Sequence, residues 1–275
     1  MTRIAVLQMC SGIDPDANAG AIRAAMRQAA GEGAGMLFTP EMSLLLDRDR
    51  ARAAASVTPE DANVQLQAIR DCARELGLWV ALGSLAVLRE DGRWANRSLL
   101  IDGQGQIVAR YDKIHMFDVQ LATGETWRES AAYAPGEQVV TAQTPAGRLG
   151  LAICYDVRFP ALFQELGQQA CDLIAIPAAF TVPTGQAHWH LLQRARAVEA
   201  SAYVIAAAQA GTHQDGRQTY GHSLVIDPWG DVLLDLGEDG PTLGFAEIDR
   251  ARLAEVRAQL PSLANRRPIP KSAAQ

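Results

Sequence analysis

With 275 residues and 48% apolar side chains, the chain is long enough for one large α/β domain with a substantial core, and no linker, repeat or low-complexity segment divides it. The formal charge of −6 comes from interspersed acids and bases, which excludes the basic stripe of a nucleic-acid binder. No apolar run reaches membrane-span length, no basic-then-apolar leader opens the chain, and the four cysteines, Cys10, Cys72, Cys154 and Cys171, are too sparse for a disulfide framework and lack paired metal spacing. A reduced, cytoplasmic protein with no nucleic-acid or membrane partner is the expectation.

Arg3 to Met9 reads as a buried strand, and Ala17 to Ala30 as a helix with Ile22, Ala25, Met26 and Ala29 on one face. Glycines 31, 33 and 35 end it, and Met36-Leu37-Phe38-Thr39-Pro40-Glu41 is a second apolar strand running into a carboxylate. The short loop from Met42 to Asp47 follows, placed as a wall near Glu41. Thr58-Pro59-Glu60-Asp61 reads as a helix start, with a capping hydroxyl, proline at the first position and acids in the first turn. Leu66, Ile69, Cys72, Ala73 and Leu76 continue at helical spacing until Gly77 stops it. Trp79 to Leu88 is a strand, and Ser98 to Ile101 pairs with Gln106 to Tyr111 through Asp102-Gly103-Gln104-Gly105, delivering Lys113 at the far end.

Asp118 to Pro135 has little periodicity and carries Gly124, Glu125, Trp127 and Glu129; a loop of this length inside a compact domain is usually functional or disordered. Leu149 to Ile153 is a buried strand, and Pro160 opens a helix through Leu166. Cys154 therefore sits where a buried strand ends, where turn amides and the positive end of a helix favour thiolate and can hold an oxyanion. A small buried apolar residue is the alternative reading of that position. Asp172 to Ile176 is a strand, Ala178 to Gly185 a loop at its carboxyl end, His188 to Ser201 a helix and Tyr203 to Gln209 a strand. His222 to Ile226 and Val232 to Leu236 form a hairpin through Asp227-Pro228-Trp229-Gly230, before a last strand, Leu243 to Ile248, and a helix, Arg250 to Leu260. The tail from Pro261 carries no core periodicity. Crossovers alternating with hairpins suggest two sheets packed face to face with helices outside.

In open α/β architectures the ligand site lies beyond the carboxyl ends of the strands, so Glu41, Lys113 and Cys154 would converge there as base, cation and nucleophile of an acyl-transfer centre. A Cys-His arrangement remains open on spacing alone, with His115, His188, His190, His213 and His222 available. His188 and His190, two apart on a helix, diverge and do not suggest a metal pair. Arg158, four residues after Cys154, could clamp a carboxylate bidentately or pair with a surface acid.

Thr39-Pro40-Glu41, Tyr111-Asp112-Lys113-Ile114-His115 and Gly150-Leu151-Ala152-Ile153-Cys154-Tyr155-Asp156-Val157-Arg158-Phe159-Pro160 resemble the Glu-Lys-Cys motifs of the nitrilase superfamily of carbon–nitrogen hydrolases. The resemblance implies a four-layer α-β-β-α sandwich, one domain spanning residues 1–275 with a tail from about 261, a homodimer, and no cofactor or metal. It implies Cys154 as nucleophile, Glu41 as base, and Lys113 with the Tyr155 backbone N–H as oxyanion donors. Arg128-Glu129-Ser130, followed by Ala134-Pro135-Gly136-Glu137, resembles the segment that carries a second glutamate, which puts that role on Glu129. A carboxylate can serve as such a base in a desolvated pocket.

Ala178 to Gly185, Ala187-His188-Trp189, Tyr220-Gly221-His222-Ser223, Asp227-Pro228-Trp229-Gly230 and Arg266-Arg267-Pro268 look most like the branch that cleaves a 2-oxoglutaryl amide of cysteinylglycine. By that resemblance Arg158, Phe180 and Thr184 line the oxo-acid end of a small carboxylated substrate. An amidase releasing ammonia from 2-oxoglutaramate is the alternative, and a silent binding subunit is the non-enzymatic one. Position 190 is histidine where many relatives carry glutamate, so a role tied to that carboxylate is in doubt.

Overall fold

The computed structural model describes residues 1–120, 124 and 126–270; Glu125 and the end of the tail, 271–275, lie outside the described residues. Two six-stranded sheets form the centre. The first runs edge to edge through Thr242–Ile248, Thr2–Gln8, Met36–Phe38, Trp79–Leu88, Trp94–Ile101 and Ile107–Asp112. The second runs through Val232–Asp235, Leu224–Ile226, Tyr203–Ala206, Leu173–Ala175, Gly147–Leu151 and Thr141–Thr144. In each, three parallel strands occupy the middle and antiparallel strands the edges.

Continuous apolar runs in the middle strands follow from burial on both faces. Ile4, Val6, Met36, Phe38, Ala81 and Leu100 join Leu149, Leu173, Ile205 and Val225 in one core between the sheets. Their neighbours Ala5, Leu7, Leu37, Val80, Leu82 and Leu99 point the other way, onto Ile22 and Met26 of the helix Pro15–Gly31 and Leu66 and Ile69 of the helix Val64–Leu76. Helices Pro160–Gln168 and Val182–Ala200 cover the outer face of the second sheet through Leu162, Phe163, Leu166, Trp189 and Ala197. The result is the expected four-layer α-β-β-α sandwich.

Local chemistry moved some boundaries. The helix expected from Thr58 is only a 3₁₀ turn at Glu60–Ala62; the α-helix starts at Val64 because Asn63 caps it, its Oδ1 accepting from Leu66 N at 2.8 Å. Gly77 ends that helix in the left-handed region, as the spacing predicts. The helix expected from His188 starts six residues earlier, with Pro183 in its first turn, so Thr184 and Gly185 are helical rather than in a loop. Arg50–Ala54, a short helix capped by Asp49, and the ribbon Ala210–Thr212 with Gln218–Tyr220 carry too little apolar periodicity to be read from sequence.

Candidate active site

Three chain segments reach one spot because three strands end there. Glu41 follows the parallel strand Met36–Phe38, Cys154 follows Gly147–Leu151, and Lys113 ends Ile107–Asp112. Gly83 permits the close approach: a Cβ there would lie 2.0 Å from the Thr39 carbonyl oxygen, 2.4 Å from that of Pro40 and 2.6 Å from Pro177 Cβ. Gln209 ties the Glu41 end to the second sheet, donating from Nε2 to the Glu41 carbonyl at 2.9 Å and to Ser11 Oγ at 2.7 Å.

The Cys154 turn is built on a buried aspartate. Asp156 Oδ2 accepts from the Tyr111 hydroxyl at 2.6 Å and from Ile153 N at 2.9 Å, while Oδ1 accepts from His115 N at 3.0 Å and lies 2.7 Å from His115 Nδ1. Strand end and turn are thereby locked together, and burial with the Asp156 carboxylate keeps the Tyr111 phenol protonated far above its usual range. Cys154 itself adopts a left-handed backbone, φ 49°, and gives its own N–H to Pro177 O at 2.8 Å. Among the described residues, the Tyr155 N–H has no acceptor.

Lys113 is 2% exposed and stands between two carboxylates, its Nζ 3.0 Å from Glu41 Oε1 and 2.9 Å from Glu129 Oε2. Burial alone would push its pKa down; the Glu129 and Glu41 charges outweigh that and hold it well above the usual lysine range, so it remains ammonium. Glu41 Oε1 also accepts from Asn96 Nδ2 at 2.9 Å and Oε2 from Ala179 N at 3.0 Å. Glu129 is held by Asn96 Nδ2 at 3.1 Å and Phe117 N at 2.7 Å. Cys154 lines the same cavity as Glu41, Lys113 and Ala179. Burial and then the Glu41 charge push this thiol well above its usual range, with Lys113 opposing. The thiolate expected from position on the chain is therefore not the resting form: the turn amides are outweighed by desolvation and a neighbouring carboxylate, and the resting group is a thiol.

These side chains form the floor of a cavity of about 770 Å³, whose walls include Met42, Leu45, Phe117, Trp127 and Tyr133. Phe180 and Thr184 are among its lining residues, Phe180 packed on Trp189 with ring centroids 4.8 Å apart and Thr184 Oγ1 2.8 Å from Thr181 Oγ1. Arg158 is not among the lining residues. Its guanidinium is 3.3 Å from His188 Nδ1 and lies over the rings of Phe180 and Tyr155, 5.5 and 5.9 Å from their centroids.

No histidine lines the cavity either. His115 belongs to Asp156, His213 sits against Ser11 O and Thr219 Oγ1, and His190 and His222 share Asp235, each at 2.9 Å. The Cys-His arrangement thus lacks its second member. Sequence reasoning missed Asn96, which bridges both glutamates; its one signal was an asparagine inside the apolar strand Trp94–Ile101. Asp156 was equally missed as the anchor of the turn.

Two mixed sheets between helix layers, with cysteine, lysine and two glutamates clustered at strand ends, define a nitrilase-type architecture. Residues 3–258 match the family described as carbon-nitrogen hydrolase, and the chain belongs to that family. It is 39% identical over 267 residues to the deaminated glutathione amidase of Yersinia enterocolitica, covering 96% of this chain and 92% of that protein. It is 40% identical over 270 residues to the deaminated glutathione amidase of Bos taurus, covering 96% and 82%. Among solved structures, the C. elegans NitFhit protein superposes with a TM-score of 0.89 at 36% identity, covering 97% of this chain and 65% of that longer one. Saccharomyces cerevisiae Nit3, a member of branch 10 of the nitrilase superfamily, superposes with a TM-score of 0.85 at 28% identity over 94% of both chains.

Proposed function

We propose that this carbon–nitrogen hydrolase is an amidase that cleaves deaminated glutathione to 2-oxoglutarate and cysteinylglycine through a Cys154 thioester. The observation that carries the chemistry is that the buried Cys154, Glu41 and Lys113 line one open cavity, with Lys113 Nζ 3.0 Å from Glu41 Oε1. The substrate rests on the relatives bearing that activity in their names, matched over 96% of this chain.

An amide carbonyl is a poor electrophile, and the resting thiol is a weak nucleophile, so attack needs a base in contact with sulfur. Glu41 takes the thiol proton as sulfur bonds to the carbonyl carbon. The oxyanion that forms is held by the Lys113 ammonium and the Tyr155 N–H. As the intermediate collapses, the C–N bond breaks and Glu41 returns the proton to the departing nitrogen, leaving a thioester and a free amine. Glu41 then draws a proton from water, hydroxide adds to the thioester, and collapse releases the carboxylic acid with the proton restored to sulfur. Glu129 fixes Lys113 and does not exchange protons. Phe180 and Thr184 shape the acyl end; Arg158 reaches that end only by leaving His188. No helix among the described residues is long and apolar enough to cross a membrane. A homodimer, one domain per chain and a cytoplasmic setting complete the reading.

The test is turnover of deaminated glutathione and of 2-oxoglutaramate by pure protein, with 2-oxoglutarate, cysteinylglycine and ammonia measured separately. Equal amounts of 2-oxoglutarate and cysteinylglycine are expected. Release of ammonia from 2-oxoglutaramate at a far higher kcat/KM would assign the ammonia-releasing activity instead, and no 2-oxoglutarate from either would end both assignments.

A further inference from the structure

Four arginines ring the mouth of the cavity in a protein whose formal charge is −6. They arrive from three segments: Arg48 and Arg50 from the loop and turn after Glu41, Arg128 from the strand Thr126–Arg128, and Arg217 from the turn before Gln218–Tyr220. Their placement is enforced. Arg217 Nε is 2.7 Å from Oδ2 of Asp215, a buried carboxylate that also accepts from Arg48 N at 2.8 Å. The Arg217 guanidinium lies over the Trp127 ring, 5.1 Å from its centroid, and Arg50 donates to the Arg128 carbonyl. Among the described residues, neither Arg48 nor Arg128 has a carboxylate within ion-pair distance.

Among the described residues, the acids that line the cavity are already engaged. Asp47 takes both arms of Arg52, at 2.6 and 2.8 Å, and Asp49 Oδ1 caps the turn that follows, accepting from Ala51 N and Arg52 N at 3.1 Å each. Glu41 and Glu129 are held at the floor by Lys113. Like charges gathered at one opening repel unless an anion enters, and arginine forks grip a carboxylate bidentately. Arg48, Arg50 and Arg128 are exposed, whereas Cys154 is buried, so the ring stands at the solvent end. A cavity of about 770 Å³ falls in the range of sites for ligands of drug size, well beyond the need of a small acyl group alone.

We propose that this ring is a second anion subsite, in which Arg48 and Arg128, backed by Arg50 and Arg217, bind a carboxylate carried by the leaving amine. The proposal rests on the amidase reading above. With the acyl group against Phe180 and Thr184, a substituent on the departing nitrogen extends toward the mouth, and a dipeptide ending in a free carboxylate reaches the arginines. Such a ring also draws anions toward the opening of an acidic protein, an effect weakened by salt.

The experiment uses three amides with one 2-oxoglutaryl group: deaminated glutathione, the same molecule with its terminal carboxylate converted to a carboxamide, and 2-oxoglutaramate. The wild type is expected to prefer the charged dipeptide amide over its neutralised form by about 10-fold in kcat/KM, mostly through KM, since hydrogen bonds to charged groups carry most of such discrimination. In Arg48→Gln/Arg128→Gln that ratio is expected to fall toward one, with the circular-dichroism spectrum retained. A wild-type ratio near one, or a ratio that survives in the double variant, overturns the subsite. So does an equal loss on 2-oxoglutaramate, which carries only the acyl carboxylate and would place the arginines at the acyl end. No turnover of any of the three by the wild type overturns the amidase reading itself, and the subsite with it.

Discussion

Replacing Glu41 by glutamine separates the chemistry from the scaffold. Three donors converge on this carboxylate: Lys113 Nζ at 3.0 Å and Asn96 Nδ2 at 2.9 Å on Oε1, and Ala179 N–H at 3.0 Å on Oε2. Glutamine keeps one acceptor but turns an NH₂ toward the other set, so donor faces donor in either orientation. An unsatisfied buried donor costs about 1–3 kcal/mol. Glu129 still faces Lys113 at 2.9 Å, so the variant is expected to fold with a reduced margin. Activity falls much further, because a positioned base contributes about 10²–10⁴-fold. At about 1.36 kcal/mol per decade that is about 2.7–5.4 kcal/mol of barrier. Within acylation Glu41 both takes the thiol proton and returns it to the departing nitrogen, so kcat/KM is expected near the lower end of the surviving range, about 10⁴-fold down. A folded Glu41→Gln protein that keeps more than a tenth of wild-type kcat/KM refutes the reasoning. Abolition by one of the five histidine-to-alanine changes, with Glu41→Gln tolerated, would move the base to that histidine.

Asn96→Leu removes the neutral side chain that, beside Lys113, donates to both glutamates, and is expected to lower kcat by roughly 10- to 100-fold with little change in KM; an unchanged kcat would show that Lys113 alone fixes the carboxylates. Alkylation of Cys154 by a thiolate-selective reagent, followed by mass spectrometry, is expected to keep rising as pH passes 9.0, the usual thiol value, because a raised pKa leaves the thiol protonated below it. A plateau below that pH would mean a thiolate at rest. Gly83→Ala puts a Cβ 2.0 Å from the Thr39 carbonyl oxygen, and overpacking of this kind typically costs about 1–3 kcal/mol. A lower midpoint in denaturant and impaired activity are expected together, since the displaced residues precede Glu41; a wild-type midpoint would deny the close approach.

Much of the fold was legible because its signals are local. Burial on both faces leaves continuous apolar runs, and Thr39-Pro40-Glu41 and Gly147 to Pro160 punctuate strand ends sharply enough to mark where functional groups emerge. Where capping choices compete the reading slipped: Thr58 and Asn63 both suit a helix start, and only packing of Leu66 and Ile69 against the first sheet selects the second. The start of the helix Val182–Ala200 was hidden because its opening turn carries proline, threonine and glycine, residues common in loops.

Side chains that act on other side chains left no local trace. Asn96 matters because two glutamates, 55 and 33 residues away in sequence, meet its amide, and Asp156 because Tyr111 and His115 cross over to it. The four mouth arginines are likewise spread over three segments whose meeting has no sequence signature.

The amino-acid order by itself determined most element types, the two-sheet class and the emergence of a thiol, a lysine and one carboxylate at strand ends, because periodicity, capping and turn chemistry act over a few residues; Glu129 was singled out only by the family resemblance. Tertiary structure alone decided the protonation of Cys154, the bridging place of Asn96, the position of Arg158 beside His188 and the charge at the cavity mouth. Those properties depend on desolvation and on distances between distant segments, which exist only once the two sheets have packed.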